Sequence, residues 1–312
     1  MTERLAEVRA HIDGVHQLGS VVNAMRGIAA ARAQTARNQL VAVDAYAQIV
    51  AGAVARALRL RANSSTEAPR RGGETGIALF CAEQGFAGAF NERALDAVGA
   101  DLAKCELFLI GSRGVDLAAQ RKIHASWSDA MPSHGLGVPK LADRITEALY
   151  RRIACEAIVQ FDVAYTAWAP GKGFHVERHQ LFPLDPERFS GLDGRGAPLV
   201  NLPPDALVAN LAADYLHAQL CHAALHSFAA ENQARMEAMA AAGKHVEKQL
   251  AKLHATERRV RQDEITDEII ELAAGETASR ADRNSAARQD SDQKPPERRS
   301  PHQNGPPRSD DS

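Results

Sequence analysis

The first 62 residues carry a heptad pattern that predicts one long coiled-coil helix. A column of apolar residues recurs at every seventh position: Val8, Val15, Val22, Ala29, Ala36, Val43, Val50 and Ala57. A partner column begins at Leu5, and only Gly19 and Arg26 interrupt it. Apolar residues at alternating spacings of three and four form a stripe along one side of a helix. Because no proline occurs before Pro69, a helix over 1–62 would extend for roughly 85 Å.

A second heptad pattern follows Pro204. Its column is apolar at every position except Asn232: Leu211, Ala218, Leu225, Asn232, Met239, Val246, Leu253 and Val260. The next proline is Pro295, and we expect a helix over 205–275, about 100 Å long.

Between the two helical segments the period changes, which predicts a small α/β sheet domain of Rossmann-like type over 76–184. The expected strands are 76–82, 106–111, 156–168 and 174–184, and the expected helices are 91–104 and 141–154. Residues 63–75, NSSTEAPRRGGET, have the composition of a linker. Residues 185–204, rich in proline and glycine, predict an irregular connection.

The order of these segments predicts the fold class: α/β, with two long helices forming an antiparallel coiled coil and a small sheet domain inserted between them. Two isolated helices of this length would expose their apolar stripes to water, and pairing buries both. A cytoskeletal or adaptor coiled coil has the same pattern and stays open as an alternative.

Residues 276–312 predict a disordered tail. They contain no Leu, Ile, Val, Phe, Met, Trp or Tyr, and they include five prolines. Such a segment has nothing apolar to bury, so it cannot offset the entropy of ordering its backbone.

Composition excludes several classes of protein. The formal net charge is -2, so no basic field attracts nucleic acid. No run of about 18 apolar residues occurs, and we expect no membrane span. The N-terminus lacks the apolar segment of a signal peptide. The four cysteines lack CxxC spacing, which favours a reducing compartment without a disulfide framework or a cysteine metal site.

Two glycine-containing turns raise the question of phosphate binding. QGFAGAFN at 84–91 and GSRG at 111–114 each lie between an expected strand and a helix, where backbone N–H groups bind anions. Neither contains a GKS/T or GxGxxG sequence, so we interpret both as tight turns and expect no nucleotide cofactor. No arrangement typical of a catalytic triad or a carboxylate pair occurs.

Histidines form two sets with metal-ligand spacing. His175, Glu177 and His179 alternate on an expected strand and would share a face. His222 and His226 are spaced i,i+4 on a helix, with His217 and Cys221 nearby. A solvent-facing polar stripe and a neutral helix flank explain the two sets equally well. We therefore predict no metal, and leave open whether either set binds one.

Three segments resemble the gamma subunit of F-type ATP synthases. They are VRAHIDGVHQLGSVVNAMRGIAAARAQTA at 8–36, ALFCAEQGFAGAFNERAL at 78–95, and ENQARMEAMAAA at 231–242 with RRVRQDEITDEIIELAAG at 258–275. The resemblance extends over about 1–275 in the family's order. Gly243-Lys244-His245 and Thr256-Glu257-Arg258 depart from its usual pattern. Such departures suggest a divergent branch, for which the alternate, sometimes sodium-linked, F-type ATPases are one candidate.

The resemblance implies a non-catalytic rotor shaft without a cofactor. The expected partners are the alpha and beta subunits of the catalytic head, the epsilon subunit, and the ring of membrane c subunits. The expected location is peripheral, on the cytoplasmic side of the inner membrane. By resemblance, Met25, Arg26 and Arg32 lie near the moving levers of the beta subunits, and Arg261 and Gln262 contact loops of the head. The coupling ion and the physiological direction of operation stay open.

Overall fold

The computed structural model describes residues 2–61, 73–102, 104–189 and 200–292, and side chains within 4–60 and up to residue 280. Its helices and strands are α1 Thr2–Arg61, β1 Glu74–Phe80, α2 Phe90–Val98, β2 Cys105–Ile110, α3 Ser112–Gln120, β3 Trp127–Asp129, α4 Val138–Ala154, β4 Ile158–Ala169, β5 Gly173–Phe182 and α5 Pro204–Asp292. The chain divides into two compact units, residues 15–248 and residues 1–14 with 249–312.

The larger unit contains a five-stranded sheet in the order β3-β2-β1-β4-β5. The first four strands in that order run parallel, and β4 and β5 form an antiparallel hairpin at one edge. The strands β1 and β2 are continuous apolar runs because parallel strands at the centre of a sheet are covered on both faces.

Helices cover both faces of this sheet. On one face, Ile77 and Leu109 pack against Ala94 and Leu95 of α2. On the other face, a larger core joins the sheet to α4 and the two long helices, and its members include Phe80, Phe108, Leu141, Leu40 and Leu220. The predicted α/β fold class is therefore confirmed.

The long helices pair antiparallel within this unit, as predicted. Three pairs of positions show it, because the number in α5 falls as the number in α1 rises: Gly19 with Val246, Arg37 with Gln233, and Asp44 with His222. Both predicted heptad columns are largely buried, with Val22, Ala29 and Ala36 buried in α1 and Ala218, Leu225 and Met239 buried in α5. A Cβ at Gly19 would lie 3.1 Å from Val246 Cγ1, which explains glycine in that column.

The smaller unit pairs the start of α1 with the later part of α5. Arg9 Nε donates to Glu257 Oε1 at 3.1 Å, and Ile12 and Val260 are buried. The sequence-based end of this helix at 275 was wrong, because α5 continues to Asp292. Residues 276–292 contain no proline and many good helix formers, and Arg280 pairs with Glu276 one turn away. The rest of the expected tail, 293–312, lies outside the described residues.

Other sequence-based boundaries also changed. The expected helix 91–104 ends at Val98, and α3 and β3 were missed. Most of the expected linker, 63–72, and most of the expected connection, 190–199, lie outside the described residues. The 3₁₀ turn Pro186–Phe189 opens that connection.

One described helix, within Arg4–Leu60, is long and apolar enough by length and composition to cross a membrane, with a mean hydropathy of 1.4. A helix in the core of a soluble protein meets the same criteria. In this structure, α1 packs its apolar column against α5. The expected absence of a membrane span stays a prediction.

Glycine is required where β2 turns into α3. Gly111 has φ 106°, and a Cβ there would lie 2.5 Å from the carbonyl oxygen of Cys81. Only glycine adopts this backbone conformation without strain, and it brings the start of α3 close to the loop that follows β1.

Candidate functional site

Two buried charged residues of α5 hold the loop that follows β1. Arg235 Nε donates to the carbonyl oxygen of Gly85 at 3.0 Å, and its Nη2 donates to that of Gln84 at 3.1 Å. In return, the Glu231 carboxylate accepts from the backbone N–H groups of Gln84 at 3.1 Å and Glu83 at 3.3 Å. We call residues 83–85 with Glu231 and Arg235 the junction, because they fasten the sheet to the long helix.

The junction pair is almost fully shielded from water. Glu231 and Arg235 are 2% and 4% exposed, and they form an i,i+4 ion pair along α5. Burial raises the pKa of Glu231, while the Arg235 guanidinium and the two backbone donors oppose the rise. Arg235 Nη1 also donates to Asn232 Oδ1 at 2.9 Å. This bond accounts for the single polar residue in the closing heptad column.

The other side of the loop is held by carboxylate and amide oxygens. Glu83 accepts hydrogen bonds from the backbone N–H of Ser112, its hydroxyl, and the N–H of Met131, at 3.0, 2.7 and 2.9 Å. Asn91 Oδ1 accepts from the N–H of Ala82 at 2.8 Å. At the second glycine turn, the N–H of Ser112 is thus taken by Glu83, and those of Gly111, Arg113 and Gly114 bind backbone carbonyls. At the first turn, the N–H of Gln84 is taken by Glu231. This arrangement favours the tight-turn interpretation.

Helix α1 contacts the same region through two arginines. Arg32 Nη1 donates to Gln84 Oε1 at 3.0 Å. Arg37 Nη2 donates to Gln233 Oε1 at 2.6 Å, and its guanidinium lies 4.7 Å from the ring centroid of Trp168. The two long helices and the sheet therefore meet around one polar network.

The residues expected to contact partners lie at separate places. In the larger unit, Met25 is half-buried, Arg26 is exposed, and Arg32 is half-buried against the junction loop. In the smaller unit, Arg261 and Gln262 are exposed, and Arg261 Nη2 donates to Glu257 at 3.2 Å.

Sequence reasoning missed Glu231 and Arg235. The available signal was an acid and a base spaced i,i+4 inside a long run of small and apolar residues, which favours a buried pair over a solvated one.

The second histidine set separates into two faces of α5. His217 Nε2 lies 3.1 Å from Asp143 of α4, and its Nδ1 lies 3.8 Å from Cys221 Sγ. His222 and His226 face α1 and the sheet, with their ring centroids 4.3 Å apart. His222 Nδ1 lies 2.7 Å from Asp44 Oδ1. Helical spacing placed four candidates together, but the structure keeps only two of them in one cluster.

Side chains of the sheet, including Glu177 and His179 of the first histidine set, contact the same part of α5. Tyr165 of β4 donates its hydroxyl hydrogen to Glu177 at 2.7 Å, and its oxygen lies 3.1 Å from His222 Nε2. Burial raises the pKa of Tyr165, so the phenol stays protonated. His179 Nε2 lies 3.2 Å from Gln219 Oε1 of α5, and burial lowers the pKa of His179 to about 4. The solvent-facing stripe expected on this strand is instead half covered by α5.

Comparison with known proteins agrees with this architecture. A family model described as ATP synthase matches residues 4–278. An ATP synthase gamma chain of Prosthecochloris aestuarii is 27% identical over 289 residues, covering 88% of this chain and 98% of that protein. An ATP synthase gamma chain of Symbiobacterium thermophilum is 26% identical over 294 residues, with 89% and 99% covered.

Two solved structures share the fold. A chain in the rotor of the Euglena gracilis mitochondrial ATP synthase superposes with a TM-score of 0.62 at 12% identity, covering 85% of this chain and 100% of that chain. A chain in the central stalk and c-ring of the Tetrahymena thermophila mitochondrial ATP synthase gives a TM-score of 0.51 at 17% identity, covering 71% and 99%.

Proposed function

The chain belongs to the ATP synthase family as a gamma chain, a non-catalytic subunit of the central stalk, and we propose that it couples ion flow to ATP chemistry by rotating. Ion flow turns the ring of c subunits, and the ring turns the sheet domain together with the epsilon subunit. The paired helices then carry the torque into the head of alpha and beta subunits. The protein works peripherally, on the cytoplasmic face of the inner membrane.

The observation that carries this proposal is the junction. A torque applied to a sheet domain reaches a helical shaft only if the two move as one body. Four hydrogen bonds cross between the loop at 83–85 and the pair Glu231 and Arg235. Because the pair is buried, water does not compete for these bonds. Moving the loop relative to α5 would expose the charges of Glu231 and Arg235 to water or leave them without hydrogen-bond partners, and either change costs free energy.

Exposed basic residues suit a shaft that must release its partners. In α1, exposed Arg26 and half-buried Arg32, which also donates to Gln84, are proposed to face acidic segments of the beta subunits. In α5, Arg261 and Gln262 are proposed to contact loops of the head. Half-buried Met25 is proposed to lie beside the same levers. Exposed ion pairs contribute about 0–1 kcal/mol each, so a rotating shaft can form and break them in turn. Replacing Arg26 by alanine should lower ATPase turnover less than Arg26→Glu, which adds repulsion.

The test is rotation in a reconstituted complex. Cys155 is an exposed thiol at the end of α4, Cys105 is half-buried, and Cys81 and Cys221 are buried. In a Cys105→Ser background, a biotin maleimide placed on Cys155 can therefore carry a bead. The chain is mixed with alpha and beta subunits from the same source, and the head is fixed to glass. We expect ATP to turn the bead in one direction. A Cys155→Ser chain is the control and should carry no bead.

The adaptor alternative makes the opposite prediction. An adaptor would neither form a stable complex with alpha and beta subunits nor raise their ATPase activity. Calorimetry on the isolated chain adds a further check, since micromolar ATP binding would contradict a non-catalytic shaft.

A further inference from the structure

Among the residues that the structure describes, one group of side chains outside the junction could hold a metal ion. Asp44 of α1 and His222 and His226 of α5 each place one ligand atom so that all three atoms lie within 4.8 Å of one another. His222 Nδ1 and Asp44 Oδ1 are already 2.7 Å apart. In a tetrahedral zinc site the bonds are about 2.0–2.1 Å long, which separates ligand atoms by roughly 3.3 Å. The His222–Asp44 pair is closer than this separation and the 4.8 Å limit is wider, so the three side chains would adjust their positions to bind an ion.

We propose that Asp44, His222 and His226 form a binding site for a divalent transition-metal ion, with Zn²⁺ as the best-fitting ion, and that the ion clamps α1 to α5. Two imidazoles and one carboxylate are a donor set that zinc takes in proteins, with water in the fourth position. The i,i+4 spacing of the two histidines places both on one side of α5. The carboxylate comes from the other helix, so a bound ion would join the two.

The surroundings supply the outer contacts that metal-binding histidines usually have. A histidine that binds a metal through one ring nitrogen commonly donates its other N–H to an oxygen, which fixes the ring. In His222, Nδ1 faces Asp44, which is the other proposed ligand. The outer contact is made by Nε2, which lies 3.1 Å from the Tyr165 hydroxyl. That hydroxyl in turn donates to Glu177 at 2.7 Å. The ring of His222 is thus oriented by a phenol and a carboxylate behind it.

The site is open to the ion. The side chains of His222 and Asp44 are 22% and 42% exposed, so an ion and its water ligand can enter from solvent. The charges also fit, since Asp44 and Glu177 supply two carboxylates near the incoming cation. The simpler alternative is an ordinary hydrogen-bonded pair of Asp44 and His222 with His226 stacked beside it.

The test measures zinc binding to the full-length chain. The protein is stripped with EDTA, desalted and titrated with Zn²⁺ against a chromophoric chelator. We expect one Zn²⁺ per chain, and we expect Co²⁺ in its place to give the visible absorption of a four-coordinate ion. Asp44→Asn keeps an acceptor for His222 but removes the charged ligand, and it should weaken binding at least about tenfold. His226→Ala should weaken it further.

Two controls separate the site from weak binding by surface histidines. His245 is an exposed histidine of the same helix, and His245→Ala should change zinc affinity less than twofold. Zinc should also raise the Tm of the unmodified chain but not that of Asp44→Asn, because only a two-helix clamp stabilises the pairing. Equal binding by Asp44→Asn and the unmodified chain, or binding without a Tm increase, would overturn the proposal. Circular dichroism checks that each variant is folded.

Discussion

Removing the guanidinium of Arg235 should destabilise the larger unit severely. The change Arg235→Met keeps most of the side-chain volume but deletes the donors to Gln84, Gly85 and Asn232. It also leaves the Glu231 carboxylate, 2% exposed, without its cation. Breaking a buried ion pair in this way costs about 3–5 kcal/mol, and we expect the free energy of unfolding to fall by that amount.

The double variant tests whether the pair acts as a unit. Glu231→Met alone should be similarly costly, because it strands the arginine. With both residues changed to Met, no buried charge is left, although the backbone groups of the loop lose their partners. The two effects should therefore not add, and we expect a coupling energy of about 1–3 kcal/mol.

Urea unfolding followed by tryptophan fluorescence provides the assay. Both tryptophans, Trp127 and Trp168, lie in the sheet, so the signal reports on the larger unit. The matched control is Arg151→Met, which removes an exposed i,i+4 pair with Glu147 on α4 and should cost less than about 1 kcal/mol. A loss of stability in Arg235→Met no larger than in this control, or strictly additive effects in the double variant, would refute the reasoning.

Three further predictions concern the ends, the pairing and the thiols. A chain truncated after Gly275 should assemble with alpha and beta subunits and keep nearly full ATP hydrolysis; a several-fold rise in activity would instead indicate that the tail brakes rotation. Cysteines at Gly19 and Val246 should form a disulfide under mild oxidation, whereas Gly27→Cys, whose Cβ would meet nothing within 4 Å, should not pair with Val246→Cys on a non-reducing gel. Native alkylation at pH 8 followed by peptide mass spectrometry should modify Cys155 first, because a buried thiol such as Cys81, with its pKa raised to about 12, is only about 0.01% thiolate at that pH.

The long helices could be predicted because their signal is repeated. Each apolar column supplies a residue every two turns, so one exception such as Asn232 does not obscure the pattern. The central strands were equally visible as short apolar runs. The strand β3 was not, because it is three residues long and has no period to detect. The end of α5 was misplaced because loss of apolar residues was taken as loss of helix, although helix propensity persists to Asp292.

The sites were harder to predict because they join residues far apart in the sequence. Periodicity placed His222 beside His226 and alternation placed His175 beside Glu177. Neither pattern connects them to Asp44, which lies 178 positions before His222 and meets it only through the register of the two long helices. The junction was hidden for a related reason. Arg235 resembles a surface residue until the loop at 83–85 is placed over it.

The junction also explains how two helices that meet through small residues can pair in a single register. The first apolar column of α1 contains only alanine and valine, for example Val22, Ala29 and Ala36. A slip of one heptad would therefore place similar residues opposite each other. Polar residues at such an interface fix register where apolar ones do not. In this unit Arg37 reaches Gln233, which lies two residues from each of the buried charges, Glu231 and Arg235, that hold the loop.

A slip would separate these partners, so the polar contacts should select the observed pairing. The disulfide between positions 19 and 246 measures this selection. In the chain with Met at both 231 and 235, we expect Gly19→Cys to cross-link less with Val246→Cys. In a second chain of this kind, we expect it to begin to cross-link with Met239→Cys, one heptad away. Unchanged cross-linking in that variant would show that apolar packing alone sets the register.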